Sequence, residues 1–281
     1  MKFFRLLKND IRNGFLSNGI HYLVIVIIVL VSCVDMTIKV HNAYMFDPVM
    51  PEITFADLLL YLFEGIPKFV PSQLETFIFP VKWLLLHMIL LYGGLHYPYN
   101  DLHTIGVNVL PRSGSRYKWW YAKCLWLLVN QIISYTCIYV TLLIFCILSG
   151  GEVSLQLTSV YINDIMNAGS LYDSFPKEIL LVTVVLTFLV TFGLSLWENV
   201  ISLYLKPIFS YLVMAILLLA SAYLSSPLLI GNFAMAIRCR YITENGYEMF
   251  EGCVITMIVI ILALACGMLR FRRYDIMNQE Q

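Results

Sequence analysis

The chain alternates long apolar stretches with short polar segments. Six stretches are close to the roughly 20 apolar residues that a helix needs to cross a bilayer, and they occupy residues 20–40, 77–97, 122–148, 179–196, 208–224 and 253–269. The longest segment between them, residues 41–76, itself contains the apolar piece FADLLLYLF. The pattern predicts an all-α membrane protein with six transmembrane helices, in which residues 1–281 form a single transmembrane domain.

Residues 1–19 have a different pattern, with apolar and basic positions at helical spacing. A helix would separate Phe4, Leu7, Ile11 and Phe15 on one side from Arg5, Lys8, Asn9 and Arg12 on the other. Such a segment is typical of an amphipathic helix that lies at a membrane surface. We therefore predict an N-terminal interfacial helix that leads into the first span.

Three further segments are apolar but too short to cross. Residues 54–72 predict an interfacial helix closed by Gly65 and Pro67, and residues 155–166 predict a second surface helix. Residues 225–252 contain Pro227 and Gly231 within an apolar stretch, which predicts a broken, re-entrant hairpin before span six.

Lysine and arginine are distributed unevenly about the predicted spans. Of the 18 such residues, twelve fall on the side of the two termini and six on the other side, namely Lys39, Lys68, Lys82, Lys177, Arg238 and Arg240. Because cytoplasmic loops carry the excess of basic residues, both termini are expected to be cytoplasmic.

Composition agrees with a membrane protein and limits the chemistry. The chain is 60% hydrophobic and 13% charged, with a formal net charge of +0, so its surface cannot face water all round and nothing points to nucleic acid. It has no Gly-Lys dipeptide, hence no Walker A loop, and no H-E-x-x-H or G-x-S-x-G motif. We expect neither an enzyme active site nor a bound cofactor or metal in this chain.

Single polar residues near membrane depth have simple explanations at this level. Asp35, Lys82 and Glu198 are close enough to span ends for snorkelling, and His87 is favoured as a packed residue. Seven cysteines form no C-x-x-C pair. Cys239 and Cys253 flank a polar loop and are a candidate disulfide pair.

The loop between spans two and three concentrates cations and tryptophans in the stretch NVLPRSGSRYKWWYAK. Aromatic and basic residues gather where a membrane meets water, so we predict that six residues anchor this loop at the headgroups: Arg112, Arg116, Lys118, Trp119, Trp120 and Lys123. The simplest interpretation is an anchored loop with no further role.

The same loop resembles that of the permease subunits of type-two ABC exporters. In that class a short coupling helix follows span two, a Ser-Arg pair precedes span three, and a lysine lies seven residues further on. Ser115-Arg116 and Lys123 match this spacing, and DLHTIGVNVL stands in the place of the coupling helix. The usual acidic residue of that helix is replaced by Val107 or Asn108, and Pro111 lies two residues earlier than usual.

The resemblance implies a function and a set of partners. The chain would export an amphipathic peptide, such as a bacteriocin, or a lipophilic drug across the cell membrane. It would pair with a second permease copy, in a homo- or heterodimer within membrane lipids, and with two copies of a soluble ATPase that binds ATP and Mg²⁺. Coupling to the ATPase is assigned to Asp101, Leu102, His103, Thr104, Ile105, Gly106, Val107, Asn108 and Val109.

Two other classes remain open from the residues alone. A stand-alone carrier or channel would be expected to show inverted repeats and polar residues at mid-span. An intramembrane enzyme would need paired carboxylates or histidines at helical spacing inside the spans. Neither pattern is evident in the sequence.

Overall fold

The computed structural model describes residues 2–46, 51–69, 76–102, 116–158, 161, 178–243 and 246–273. Within these ranges the protein is all-helical and contains no strand, apart from isolated β-bridges that pair Thr54 with Glu152 and Cys239 with Tyr247. Eight α-helices are described: α1 Lys2–Ser17, α2 Gly19–Ala43, α3 Phe55–Phe63, α4 Val81–Asp101, α5 Arg116–Leu148, α6 Glu178–Ile201, α7 Pro207–Tyr223 and α8 Met249–Arg272.

Four of these helices are long and apolar enough to cross a membrane, namely α2, α5, α6 and α8. They correspond to the first, third, fourth and sixth predicted spans. The helix α4 is outside that group, and α7 is apolar but has only 17 residues. The structure therefore supports a membrane protein with four candidate spans, and the six-span arrangement stays a prediction.

Helix α6 lies at the centre of the bundle. Of its most apolar 18 residues 67% are buried, against 28% in α8, and it packs against α8, α4, α5 and α7. Its buried threonines, Thr183, Thr187 and Thr191, each donate a hydrogen bond to the carbonyl four residues earlier, at 2.6–2.8 Å. Because these hydroxyls are satisfied within the helix, α6 can bury the three threonines at no loss of hydrogen bonding.

The predicted helix in residues 54–72 exists, but its location was predicted wrongly. Helix α3 is buried from Ala56 to Phe63, so it belongs to the interior and not to a surface. Thr54 and Asp57 form a capping box at its start, and Asp57 also accepts hydrogen bonds from the backbone and hydroxyl of Thr158. These bonds satisfy the helix's one carboxylate and leave the remaining surface apolar enough to bury.

The other short segments are described only in part. Residues 155–158 are not helical, and most of the predicted surface helix 155–166 lies outside the described residues. Before α8, two 3-10 helices, Ile230–Ala234 and Ala236–Arg238, form buried turns. The side chain of Arg238 is buried there and donates to the carbonyls of Ser221 and Ala222 at the end of α7. Re-entry of this segment into a membrane stays a prediction.

A glycine in α8 lets that helix pack closely against α5. A Cβ placed on Gly267 of α8 would lie 2.0 Å from the Trp120 ring, whereas one on Gly19 would meet nothing within 4 Å.

We expect Gly267→Ala to lower the free energy of unfolding by about 1–3 kcal/mol through overpacking. Gly19→Ala, the matched control at a helix start, should leave it unchanged or raise it slightly. Thermal unfolding of the detergent-purified protein measures both, and equal effects of the two substitutions would contradict the packing.

Candidate functional site

A fully buried lysine lies among three helices at the end of the bundle where α1 packs. The Nζ of Lys123 is 2.6 Å from Asp10 Oδ1 and 2.6 Å from Asp101 Oδ2, and the lysine side chain is 0% exposed. Burying charges costs several kcal/mol per ion unless they are paired and hydrogen-bonded. We call Lys123, Asp10 and Asp101 the charge cluster; it joins α5, α1 and α4.

Two members of the charge cluster lie on either side of the segment that connects α4 to α5. Asp101 is the last residue of α4, and Lys123 is eight residues into α5, which begins at Arg116. The cluster therefore holds together both ends of the loop between these helices, and ties them to the N-terminal helix through Asp10. Any force on that loop would reach all three helices at this point.

Aromatic side chains enclose the cluster. Tyr97 lies one helical turn before Asp101 on α4, and its hydroxyl donates a hydrogen bond to Asp10 Oδ1 at 3.0 Å. The ammonium of Lys123 lies 4.7 Å from the centre of the Tyr97 ring and 5.1 Å from that of Trp119, where the ring faces attract a cation. The buried Trp126 packs on Tyr97 with ring centres 4.5 Å apart.

Among the residues that the structure describes, the cluster contains two carboxylates and one ammonium. Burial is the largest influence on Asp10 and raises its pKa; nearby Asp101 adds to this, while Lys123 and the Tyr97 hydroxyl act in the opposite direction. Asp10 Oδ2 has no hydrogen-bond partner among the described residues. Within the described part of the chain the cluster is therefore one positive charge short of neutrality, and a proton or a second cation would supply that charge.

The structure corrects the predicted headgroup anchor. Lys123, Trp119 and Trp120 do not face lipid or water, because all three are buried at 2% exposure or less. Phe271 of α8 stacks on Trp119 with ring centres 4.7 Å apart and lies 6.2 Å from Trp120. The start of α5 is thus held by protein contacts, for which the absence of a side chain at Gly267 makes room.

The remaining predicted site residues divide into three groups. Arg116 donates to the carbonyl of Arg272 at 2.9 Å, at the end of α8, and Lys118 is exposed. Leu102 is buried directly after α4. Arg112 and most of the predicted coupling helix lie outside the described residues. The coupling-helix residues concerned are His103, Thr104, Ile105, Gly106, Val107, Asn108 and Val109.

A neutral polar network lies beside the charge cluster. The side-chain amide of Asn18, between α1 and α2, donates to the Gly93 carbonyl at 2.8 Å and to Asn130 Oδ1 at 3.0 Å. Tyr22 donates to the same oxygen at 2.7 Å. Sequence reasoning missed both Asn130 and Asp10. Asn130 could have been noticed as a lone asparagine within an apolar span. Asp10 could have been noticed as the only carboxylate in a basic helix.

At the opposite end, near α3, four further charged residues form a network around Tyr61. Its hydroxyl donates to Asp35 and accepts from Lys39 at 2.7 Å, while the Lys82 ammonium lies 3.0 Å from its ring centre and 3.7 Å from Glu64. Asp35 is half exposed, so its predicted place near an interface is consistent with the structure. Lys82 is held mainly by protein contacts.

The burial of Glu198 and of His87 decides two other predictions made from the sequence. Glu198, predicted to snorkel, is 1% exposed, and neither carboxylate oxygen has a hydrogen-bond partner among the described residues. That prediction is wrong because neighbouring helices enclose the end of α6. His87 is fully buried and bonds the Trp83 carbonyl at 2.8 Å, as expected of a packed residue.

The candidate disulfide is also wrong. Cys239 and Cys253 are both free thiols. Cys239 is buried where its backbone bridges to Tyr247, and Cys253 lies in the second turn of α8. Their proximity to one polar loop in the sequence did not bring the two sulfur atoms together.

Comparison with protein-family models, curated proteins and solved structures finds no match for this chain. The functional assignment is therefore argued from the residues and their geometry.

The charge cluster predicts unequal effects of removing its members. Lys123→Met would leave two buried carboxylates with no cation, and we expect a loss of about 3–5 kcal/mol in the free energy of unfolding. Asp10→Asn leaves Lys123 and Asp101 as a one-to-one pair, and we expect a loss of about 1 kcal/mol. Thermal unfolding in detergent compares them. Replacing both aspartates by asparagine in the Lys123→Met background should recover part of the loss, and a milder effect of Lys123→Met than of Asp10→Asn would refute the arrangement.

The raised pKa of Asp10 predicts a pH dependence of known sign. The folded state disfavours the ionised carboxylate, so its cost is present above the raised pKa and is relieved as pH falls through it, in a window above the ordinary value of 3.8. Asp10→Asn cannot ionise. The stability of the wild type relative to Asp10→Asn should therefore rise on acidification from neutral pH, measured by unfolding temperature. A relative loss on acidification would show that pairing with Lys123 outweighs burial.

Proposed function

We propose that this chain is the membrane-spanning permease subunit of a type-two ABC exporter. It moves an amphipathic peptide or a lipophilic compound out of the cytoplasm or inner leaflet, using ATP hydrolysed by a separate subunit. The observation that carries the proposal is the charge cluster, which fastens both ends of the loop after α4 to the N-terminal helix. A transporter driven by a soluble partner needs a rigid connection at such a loop.

The helix lengths are compatible with six spans. At 1.5 Å per residue, α4 with 21 residues is about 32 Å long and α7 with 17 residues is about 26 Å long, against a hydrocarbon core of about 30 Å. Large apolar side chains are exposed along α2, α7 and α8, among them Leu23, Ile27, Leu212, Ile216, Ile258 and Ile261. Such surfaces suit lipid or a second permease subunit.

The partners follow from the proposal. Because the sequence has no Walker A loop, ATP and Mg²⁺ would be bound by a soluble ATPase, present in two copies. Two permease subunits would enclose the path, with both termini in the cytoplasm of a cell whose plasma or inner membrane holds the complex. In this arrangement the end of the bundle that holds the charge cluster lies on the cytoplasmic side, and residues 103–115 face the ATPase.

The proposed coupling helix is tested by placing one negative charge on its docking face and, in a separate variant, on the opposite face. Ile105 and Val109, four residues apart, would share the face that docks on the ATPase, and Ile105→Asp would bury an unpaired carboxylate there. We expect the ATPase to be lost on co-purification, with membrane insertion unchanged. The matched control is Val107→Asp, which adds the same side chain about 200° away around the helix, and it should retain the ATPase.

The outcomes separate the proposal from a loop that merely anchors two spans. Retention of the ATPase and normal transport in the Ile105→Asp variant would refute the coupling helix. Loss of the ATPase in both variants would mean that the loop contacts the partner without a helical face. A transport-competent chain that binds no ATPase at all would refute the exporter assignment.

A further inference from the structure

A cavity of about 510 Å³ lies between the α1–α2 corner and α4, next to the charge cluster. Its lining changes in polarity along α4. The apolar end is lined by Val24 and Ile89, and the polar end by Asn13, Asn100 and Asp101. Ile89 and Asp101 are twelve positions apart on one helix, about 18 Å. This length and gradient fit a molecule with a hydrocarbon tail and a polar head.

The polar end favours a positive head. Asp101 is the only charged residue in the described lining, which contains no lysine or arginine. Asp101 also belongs to the charge cluster, in which two carboxylates share one ammonium. Lys8 and Arg12 of α1 are exposed and do not line the cavity. A cation bound here would supply the positive charge that the cluster lacks, whereas an anion would be repelled.

Two further features suit such a ligand. Tyr92, one turn from Ile89 towards the polar end, is 44% exposed, and its ring makes edge contacts with His96 at 5.3 Å and Tyr211 at 6.0 Å. An exposed aromatic face attracts ammonium groups and covers alkyl chains. His21 also lines the cavity, and its buried Nδ1 has no partner among the described residues, which leaves a polar group available to a ligand.

We infer that this cavity binds an organic cation with a hydrocarbon tail, such as an amine-bearing amphipath taken from the adjacent membrane leaflet. The inference names the substrate class of the exporter proposed above and rests on that proposal for its physiological meaning. Binding itself requires only this chain, so the two ideas can fail separately.

The test measures binding of tritiated dodecyltrimethylammonium to the full chain in phosphatidylcholine nanodiscs, with empty nanodiscs as background. We expect saturable binding that decyltrimethylammonium displaces and decyl sulfate, with the same tail and the opposite charge, does not. Asn13→Lys places a cation at the polar end and should weaken binding about tenfold by charge repulsion. The matched control Asn13→Asp, at the same position, should bind as tightly as the wild type or more tightly.

Several outcomes would overturn the inference. Binding no greater than in empty nanodiscs would exclude a site, and displacement by both competitors would mean that only the hydrocarbon tail is recognised. Equal effects of the two Asn13 substitutions would exclude a charge-selective head site. If Asn13→Lys unfolds the protein, Ser17→Lys, one turn along the same wall, replaces it. The assay contains no ATPase, so a negative result leaves the coupling-helix proposal intact, and ATPase release by Ile105→Asp leaves the cavity inference untouched.

Discussion

The ammonium group of Lys123, buried between Asp10 and Asp101, constrains one whole end of this protein. A buried charge without a partner is too costly to tolerate, so α1, α4 and α5 must meet wherever this lysine is enclosed. The N-terminal helix is thereby a packed part of the bundle and not a surface appendage. Its carboxylate at Asp10 is what the lysine requires, together with the one at the end of α4.

Close packing between α5 and α8 also stabilises this end of the protein. Gly267 leaves room for the Trp120 ring, Phe271 stacks on Trp119, and Arg116 reaches a carbonyl at the end of α8. These contacts add the last helix to the three that the charge cluster joins. Four helices are thus joined next to the connection between α4 and α5, and under the proposed function this is the end that would receive force from the soluble ATPase.

The excess of carboxylates connects this rigid end to the adjoining cavity. A strictly paired cluster would be electrically neutral and would give the cavity no preference for charge. With two carboxylates to one ammonium, the polar end of the cavity would favour a cation, and the described lining carries no lysine or arginine to oppose it. Structural anchor and candidate binding site thus share Asp101.

Much of the architecture could be predicted from the sequence, because helix length and apolarity are local properties. Four of the predicted spans coincide with long apolar helices, and the amphipathic pattern of residues 1–19 coincides with α1. The boundaries were less predictable: α5 begins at Arg116 and not near residue 122, since aromatic and basic residues extend a helix without making it more apolar.

What the sequence could not determine was which polar residues are buried. By itself it established an apolar, helical chain with cations and tryptophans gathered in one loop, and it suggested that lipid headgroups receive them. The tertiary structure places Lys123, Trp119 and Trp120 inside the protein and finds their partners on α1, α4 and α8, up to 152 residues away in the case of Trp119 and Phe271. The physical reason is that burial and ion pairing depend on distances between helices, and these depend on packing that no local pattern records.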